Sequence, residues 1–403
     1  MKKVLFVADS LSVGGLEKSL IELLKFFDHD RWQVDLYLIS DGRALVNQLH
    51  QRVNLLPDSP HYHDYYAEGV GSSVLRLLKK GRIDLCFWRL LRAVKPRFFR
   101  MIGRSYIPDT ALDWRIKKKT MSRFSTHYDV AIGFAEGMSN HYVADCVDAD
   151  VKIGWIHTDL LHKEVNLLQE QKLLSRLDHL VTVSENSKRS ILQLLPELKT
   201  KIHVLPNLLD TEKILRLSTQ EPEGMDLECP ELKILSVGRL VELKGFHLFP
   251  EVCRLLLNAG VKLHWYVAGE GEYRSAIESE IRKWGVENAF TLLGNCDNPY
   301  CYEKSADICV QASSYEGRAV VIEEMKFLQK PILVSDIPAF REVISHEHNG
   351  LIAARSPHAL FVQLLRLCQS KQLRKALSSN LAGSVVSNQA ILQRIYCLME
   401  NKV

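Results

Sequence analysis

No stretch of this 403-residue chain approaches the roughly 18 consecutive apolar residues that a membrane-spanning helix needs. A spanning helix is therefore not expected. The nine cysteines include no C-x-x-C pair and no His/Cys cluster at metal-ligand spacing. That argues against a disulfide scaffold and a zinc module, and predicts reduced, mostly buried thiols in a cytoplasmic protein. Low-complexity tracts are also missing. With 46% apolar and 25% charged residues the composition is that of a folded chain, long enough for two domains. At the start, Met1–Ser10 carries two lysines but only a short apolar run, Val4–Ala8. The run is too short for a signal-peptide core and reads as a first buried strand.

One region of the chain is strongly basic. Between Gly71 and Lys119 fourteen Lys/Arg face three Asp, which leaves the rest of the chain at about −7 against a net charge of +4. Interleaved with the basic residues are Leu75, Leu78, Phe87, Trp88, Leu90, Phe98 and Phe99. Arg/Lys mixed with leucine and aromatic side chains fits helices lying on an anionic membrane surface. The competing reading is a helical insertion, about 55–125, packed on the first domain with a solvated basic face. No RNA- or DNA-binding motif accompanies the charge, so nucleic acid is not an expected partner.

The apolar runs have the form of parallel strands covered on both faces. Val4–Ala8 is followed by Gly14 and Gly15, a helical repeat over Leu16–Phe27, and a second strand at Val34–Ile39, which together make one βαβ unit. Further strands are predicted at Val130–Phe134, Ile153–His157, His179–Val183 and Lys201–Leu205. The alternation lapses over 208–230, where Pro222, Gly224 and Pro230 mark a linker. It restarts with strands at Lys233–Val237, Leu263–Ala268, Phe290–Leu293, Ile308–Gln311 and Ile332–Ser335, the last two separated by a helix from about Ala319 to Leu328. The expected fold is α/β. Two Rossmann-like, doubly wound parallel-sheet domains (1–207 and 231–385) face a cleft, and a tail helix in 386–403 packs back on the first.

Three segments of the second half carry chemistry. Gly238-Arg239-Leu240 follows a strand, with Lys244 and Gly245 just beyond, and two cations at a glycine-marked strand end suit a diphosphate. Gly269-Glu270-Gly271 ends the next strand, at the same sheet edge. Then come Ser313, Ser314, Tyr315, Glu316 and Gly317, ahead of a helix with Glu323 and Glu324. On one helix Glu316 and Glu324 would lie ~12 Å apart along the axis, too far for a glycosidase pair. With Glu316 in the preceding loop, the two carboxylates could grip different parts of one extended ligand. Each segment alone also fits a bland reading as a turn or a solvated helix face.

Taken in order, G-R-L-x-x-x-K-G, the G-x-G strand end and E-G-x(6)-E before K-P-I-L resemble glycosyltransferase family 4, which has the GT-B fold. Gly14-Gly15-Leu16-Glu17, Trp155-Ile156-His157-Thr158-Asp159, Val183-Ser184-Glu185 and Pro206-Asn207 agree with that family, so the resemblance covers roughly 1–50 and 125–380. It implies a retaining enzyme that moves a hexosyl or N-acetylhexosaminyl group from a nucleotide diphosphate sugar, UDP on family frequency. The implied acceptor is a saccharide or a lipid-linked sugar at the inner face of the cell membrane, in the synthesis of a bacterial surface polysaccharide.

Residue by residue, the resemblance implies that Arg239 and Lys244 hold the donor diphosphate. Glu316 would contact the transferred sugar and Glu324 the ribose, with Glu323 the alternative ribose ligand. Gly14 and Gly15 would border the phosphates, Gly238, Gly269 and Gly317 would line the donor site, and His157 would approach the donor sugar. Backbone N–H groups near Arg318 and Ala319 would touch sugar or phosphate. The usual E-G-F-G reads Glu316-Gly317-Arg318-Ala319 here, a departure beside the donor sugar. No acidic metal site stands out, so neither a metal nor another cofactor is expected. Three other readings stand beside this one: a GT-B-like nucleotide-sugar epimerase, an inert sugar-nucleotide binder, and a dinucleotide-dependent oxidoreductase with Asp35 on the ribose.

Overall fold

Strands built from runs such as Val4–Ala8, every side chain of which is fully buried, can only be satisfied in a sheet covered on both faces. The computed structural model describes all residues except 13, 60, 67–68, 102–109, 159–166, 317–319, 385 and 403, and the side chains of all others except 95–101 and 110–113. It divides into two compact units.

The first unit comprises Met1–Val183, Ser187–Pro206 and Leu392–Val403. Its strands are β1 (Lys2–Ala8), β2 (Trp32–Leu38), β3 (Val53–Leu55), β4 (Tyr128–Gly133), β5 (Ala149–Ile156), β6 (His179–Thr182) and β7 (Ile202–Val204). All pair in parallel, in the order β3-β2-β1-β4-β5-β6-β7. The register sets Val4 beside both Val34 and Val130. Sequence order reverses between β1 and β4, the topological switch point where such sheets bind ligands beyond their carboxyl ends. Between β3 and β4 lie helices Tyr62–Tyr66, Val70–Lys79, Ile83–Met101 and Thr110–Thr120. They share a small core of Tyr65, Leu77, Leu85, Cys86 and Ile116.

The end of the chain belongs to this unit. Tyr396 packs edge-on against Phe27 with ring centroids 5.4 Å apart, and its hydroxyl accepts the Asp28 N–H at 2.7 Å. Arg31 pairs with Glu400, and His179 Nε2 lies 2.9 Å from Asn401 Oδ1.

The second unit comprises Ser184–Asn186 and Asn207–Ile391. Its strands are β8 (Leu232–Val237), β9 (Leu263–Ala268), β10 (Phe290–Gly294), β11 (Ile308–Gln311), β12 (Ile332–Ser335) and β13 (Leu351–Ala353). They too are parallel, in the order β10-β9-β8-β11-β12-β13, which puts the switch point between β8 and β11.

Two features differ from the sequence reading. Residues 208–230, read as a linker, contain the helix Thr211–Ser218, capped by the Asp210 carboxylate on the Lys213 N–H at 3.0 Å. Ile214 of that helix is buried in a small core with Leu209, Tyr300 and Leu328. Its few apolar residues make a weak helical signal among polar ones. The short edge strands β3 and β13 were also not foreseen, because three residues are too few for a readable alternation.

Candidate functional site

At the switch point of the second unit, the loops leaving β8 and β11 are tied together. Beyond β8 the chain makes a 3-10 turn, Glu242–Lys244, closed by Gly245 in the left-handed region at φ +72°. A Cβ on Gly245 would lie 2.3 Å from the Ala312 carbonyl oxygen, so glycine is required where this turn meets the end of β11. The Ser314 N–H donates to the Leu243 carbonyl at 2.8 Å. Arg355 donates from Nε to the Ala312 carbonyl at 2.9 Å and from Nη2 to the Glu242 carbonyl at 3.3 Å.

This framework sets the Lys244 ammonium 2.5 Å from Glu316 Oε1, and the Ser313 hydroxyl donates to the same oxygen at 2.7 Å. Both charged side chains are largely shielded, at 22% and 14% exposure. Arg239 lies exposed on the same loop. Glu316 precedes Val320, the first residue of the described helix Val320–Phe327. Glu316 and Glu324 therefore do not share that helix, which satisfies the geometric condition for two carboxylates gripping one extended ligand. Glu323 already engages Lys326 at 3.1 Å on a nearly buried face. Gly317, Arg318 and Ala319 lie outside the described residues.

The glycines of this edge have a packing reason of their own. Gly238 and Gly269 end neighbouring strands with φ near +150°, and a Cβ on Gly269 would stand 1.9 Å from the Gly238 carbonyl oxygen. A Cβ on Gly271 would lie 2.4 Å from the Leu240 carbonyl oxygen. At Gly269 and Gly271 the close approach is backbone-to-backbone, and it brings the turns after β8 and β9 together.

In the first unit, Gly14 caps the helix Gly15–Phe26 in extended backbone. A Cβ on Gly15 would meet nothing within 4 Å, so no neighbour demands glycine there. At the β1/β4 switch point the Ser139 hydroxyl donates to Asp9 Oδ1 at 2.6 Å. Burial pushes the Asp9 carboxyl above its ordinary value, against the opposing effect of that hydrogen bond.

His157 follows β5. Its backbone N–H donates to Glu136 at 3.1 Å, and the Thr158 hydroxyl donates to the other oxygen of Glu136 at 2.8 Å. The ring packs against Phe134 and stacks parallel to Trp155. Burial holds the imidazole down at about 4, so it is neutral near pH 7. A hydrogen bond to the Phe134 backbone engages the ring. Nε2 is buried with no partner among the described residues, so Nδ1–H is the donor and Nε2 keeps its lone pair. Asp159 lies outside the described residues.

Glu136, Asn140 and Arg355 were missed in the sequence. Asn140 clamps Trp155 on both backbone groups, at 2.9 and 3.2 Å, and fills the space left by Gly133 and Gly154. A polar side chain that serves backbone far along the chain leaves no local signal, although the Glu136-Gly137 step after a strand could have marked the loop.

Two D-x-D triplets, which the sequence reading passed over, have structural work. Asp28 accepts the N–H groups of Asp30 and Arg31, and Asp148 and Asp150 clamp the two ring nitrogens of His127 at 3.1 and 3.2 Å. Among the described residues no group of three His, Cys, Asp or Glu side chains could hold a metal. Asp35 does not stand at a strand end for a dinucleotide ribose. It lies within β2, buried, and takes the Tyr128 hydroxyl at 2.8 Å and the Asn54 amide at 2.9 Å.

Against known proteins, residues 222–382 match the family model described as Glycosyl transferases group 1. An uncharacterised glycosyltransferase of Methanocaldococcus jannaschii is 30% identical over 179 residues, 42% of this chain and 45% of that protein. The Campylobacter jejuni N-acetylgalactosamine-N,N'-diacetylbacillosaminyl-diphospho-undecaprenol 4-alpha-N-acetylgalactosaminyltransferase is 25% identical over 53% of this chain and 56% of its own length. The chain thus spans about half the length of the curated relatives it matches. The crystal structure of Anabaena HepE in complex with UDP superposes with a TM-score of 0.70 over the whole of both chains at 17% identity. With its two Rossmann-like parallel-sheet units the chain has the GT-B fold, and its second unit carries the sequence pattern of group 1 glycosyl transferases.

Proposed function

We propose that this chain is a retaining glycosyltransferase of the family 4 type. It moves a hexosyl or N-acetylhexosaminyl group from a UDP-sugar to a saccharide or lipid-linked acceptor in surface-polysaccharide synthesis, on the cytoplasmic side of the membrane. The observation that carries the reading is the Lys244–Glu316–Ser313 cluster at the switch point of the second unit. The family-model match to the same unit supports it, as do the UDP bound by the HepE neighbour and the diphospho-undecaprenol in the name of the Campylobacter relative.

In this reading Lys244 and Arg239 neutralise the departing diphosphate and Glu316 turns to the transferred sugar. Glu324 takes the ribose. His157 Nε2, neutral and unprotonated, accepts a hydrogen bond from a donor-sugar hydroxyl. The bond between the anomeric carbon and the phosphate oxygen breaks as the acceptor oxygen bonds to the same face, and the hydroxyl proton passes to the leaving diphosphate. No side-chain base is required. The fixed cations supply the charge stabilisation, so no metal is invoked.

A thermal-shift titration with UDP, GDP and NAD tests the donor site. Stabilisation by UDP, lost in Lys244→Ala, is the expected result. Stabilisation by NAD alone overturns the reading. Product from a UDP-sugar and acceptor should keep the donor's anomeric configuration by NMR, and an inverted anomer would remove the retaining mechanism.

A further inference from the structure

The helices between β3 and β4 sort their apolar residues into two sets. One set, Leu77, Leu85, Cys86 and Ile116 with Tyr65, makes the small internal core, and Val74 and Trp88 pack against it. The other set faces outward. Leu75 and Leu78 on Val70–Lys79, and Ile83, Phe87, Leu90 and Val94 on Ile83–Met101, are about half exposed or more, with Ile83 at 71% and Phe87 at 57%. On the longer helix these positions recur at intervals of four, three and four residues, which draws one stripe along one face. Six of the fourteen large hydrophobic residues exposed in the described structure fall within these twenty positions, so this is a patch and not the ordinary scatter of surface leucines.

The charged residues say what covers it. Arg76, Lys79 and Lys80 are exposed on the shorter helix and the turn that follows it, whereas Arg92 of the longer helix is turned away from the stripe, over the Tyr66 ring. The acidic group there, Asp84, is occupied by both Arg82 Nε and Nη2 at 2.9 Å. Lys80 pairs with Asp64 at 2.6 Å, whereas no residue of either helix offers a further carboxylate to a mixed-charge protein rim. An apolar stripe bordered by cations is complementary to an anionic lipid surface, with acyl chains below and phosphates at the rim.

We propose that this helical hairpin is an interfacial membrane-docking face. Leu75, Leu78, Ile83, Phe87, Leu90 and Val94 insert into the headgroup–acyl boundary, and Arg76 and Lys79 bind lipid phosphates. The helices lie in the interface and do not cross it; no described helix is long and apolar enough to do so. The proposal does not depend on the glycosyl-transfer reading, since it concerns a surface remote in sequence from the donor-site residues.

Vesicle flotation with the full chain tests it, using phosphatidylcholine alone and with 30 mol% phosphatidylglycerol, about 30%, chosen to give a strongly anionic surface. Wild type should float with the mixed vesicles and not with phosphatidylcholine. Lys79→Gln should weaken binding about fivefold, the worth of one basic residue near such a surface. Phe87→Asp/Leu90→Asp should reduce it at least about tenfold, and that apolar share should persist when salt screens the charges. Unchanged melting temperature and unchanged UDP-induced shift in the double variant would show that fold and donor site are intact. Failure of wild type to float, or full binding by Phe87→Asp/Leu90→Asp, overturns the proposal. So does a wild-type dimer in solution that the same double variant dissociates, which would make the face a contact between copies.

Discussion

Lys244 and Glu316 stand 72 positions apart in sequence, yet their side chains meet at 2.5 Å across the point where strand order reverses in the second unit. The ammonium is thus already engaged by a carboxylate. In the proposed reading a diphosphate entering the site would compete for it and release Glu316 toward the sugar that the diphosphate carries.

Removing the cation should leave a folded but disabled protein. Lys244→Ala is expected to lower turnover at least about a hundredfold, the usual cost of ~2.7–4 kcal/mol for one lost charge-stabilising donor. Glu316→Gln should act in two directions. UDP, which lacks the sugar, should bind about fivefold more tightly because its competitor is gone, while kcat with the UDP-sugar falls. Calorimetric UDP binding and initial rates check both, and weaker UDP binding by Glu316→Gln would refute the competition.

The two kinds of glycine should separate in one experiment. Gly269→Ala forces a Cβ toward the Gly238 carbonyl from a backbone conformation that alanine disfavours, and should cost about 3 kcal/mol in denaturant unfolding. Gly15→Ala, in the first turn of its helix with open space around it, should leave stability within about 0.5 kcal/mol or raise it, and lower activity. A destabilised Gly15→Ala would show that its role is structural.

Acid stability should carry the mark of His157. Its folded value of about 4 lies below the ordinary 6.5. Between those two values the unfolded chain takes up a proton that the folded chain refuses, so stability falls as pH drops through the window and the loss is complete below pH 4. Wild type should lose at most about 3 kcal/mol more than His157→Gln between pH 7 and pH 4, measured by urea unfolding. Equal losses would place the imidazole in water.

Transfer should proceed undiminished in a chelator. Activity abolished by EDTA and restored by a divalent cation would contradict a site that relies on Arg239 and Lys244 for charge.

Much of the fold was legible because strands covered on both faces must be written as apolar runs. Leu263–Ala268 and Ile332–Ser335 begin and end where such runs do. The strands β3 and β13 are three residues each, too short for a run or an alternation to stand out. The helix Thr211–Ser218 hid within a polar stretch because Ile214 alone of its apolar residues is buried. At the candidate site, Arg239, Lys244 and Glu316 were readable from type and spacing. Residues that hold others in place were not: Glu136 serves the backbone of His157, Arg355 the carbonyls of Glu242 and Ala312, and neither task has a local pattern.

The return of Leu392–Val403 to the first unit bears on biosynthesis. During translation the strands β1–β7 leave the ribosome long before Tyr396 does, so the nascent first unit carries Phe27 without the Tyr396 ring against it while the second unit is still being made. Folding cannot run strictly from one end to the other, and the earliest-made unit is the last to be sealed. A ribosome stalled before codon 392 would hold a second unit with all its strands beside a first unit that chaperones and proteases can still reach.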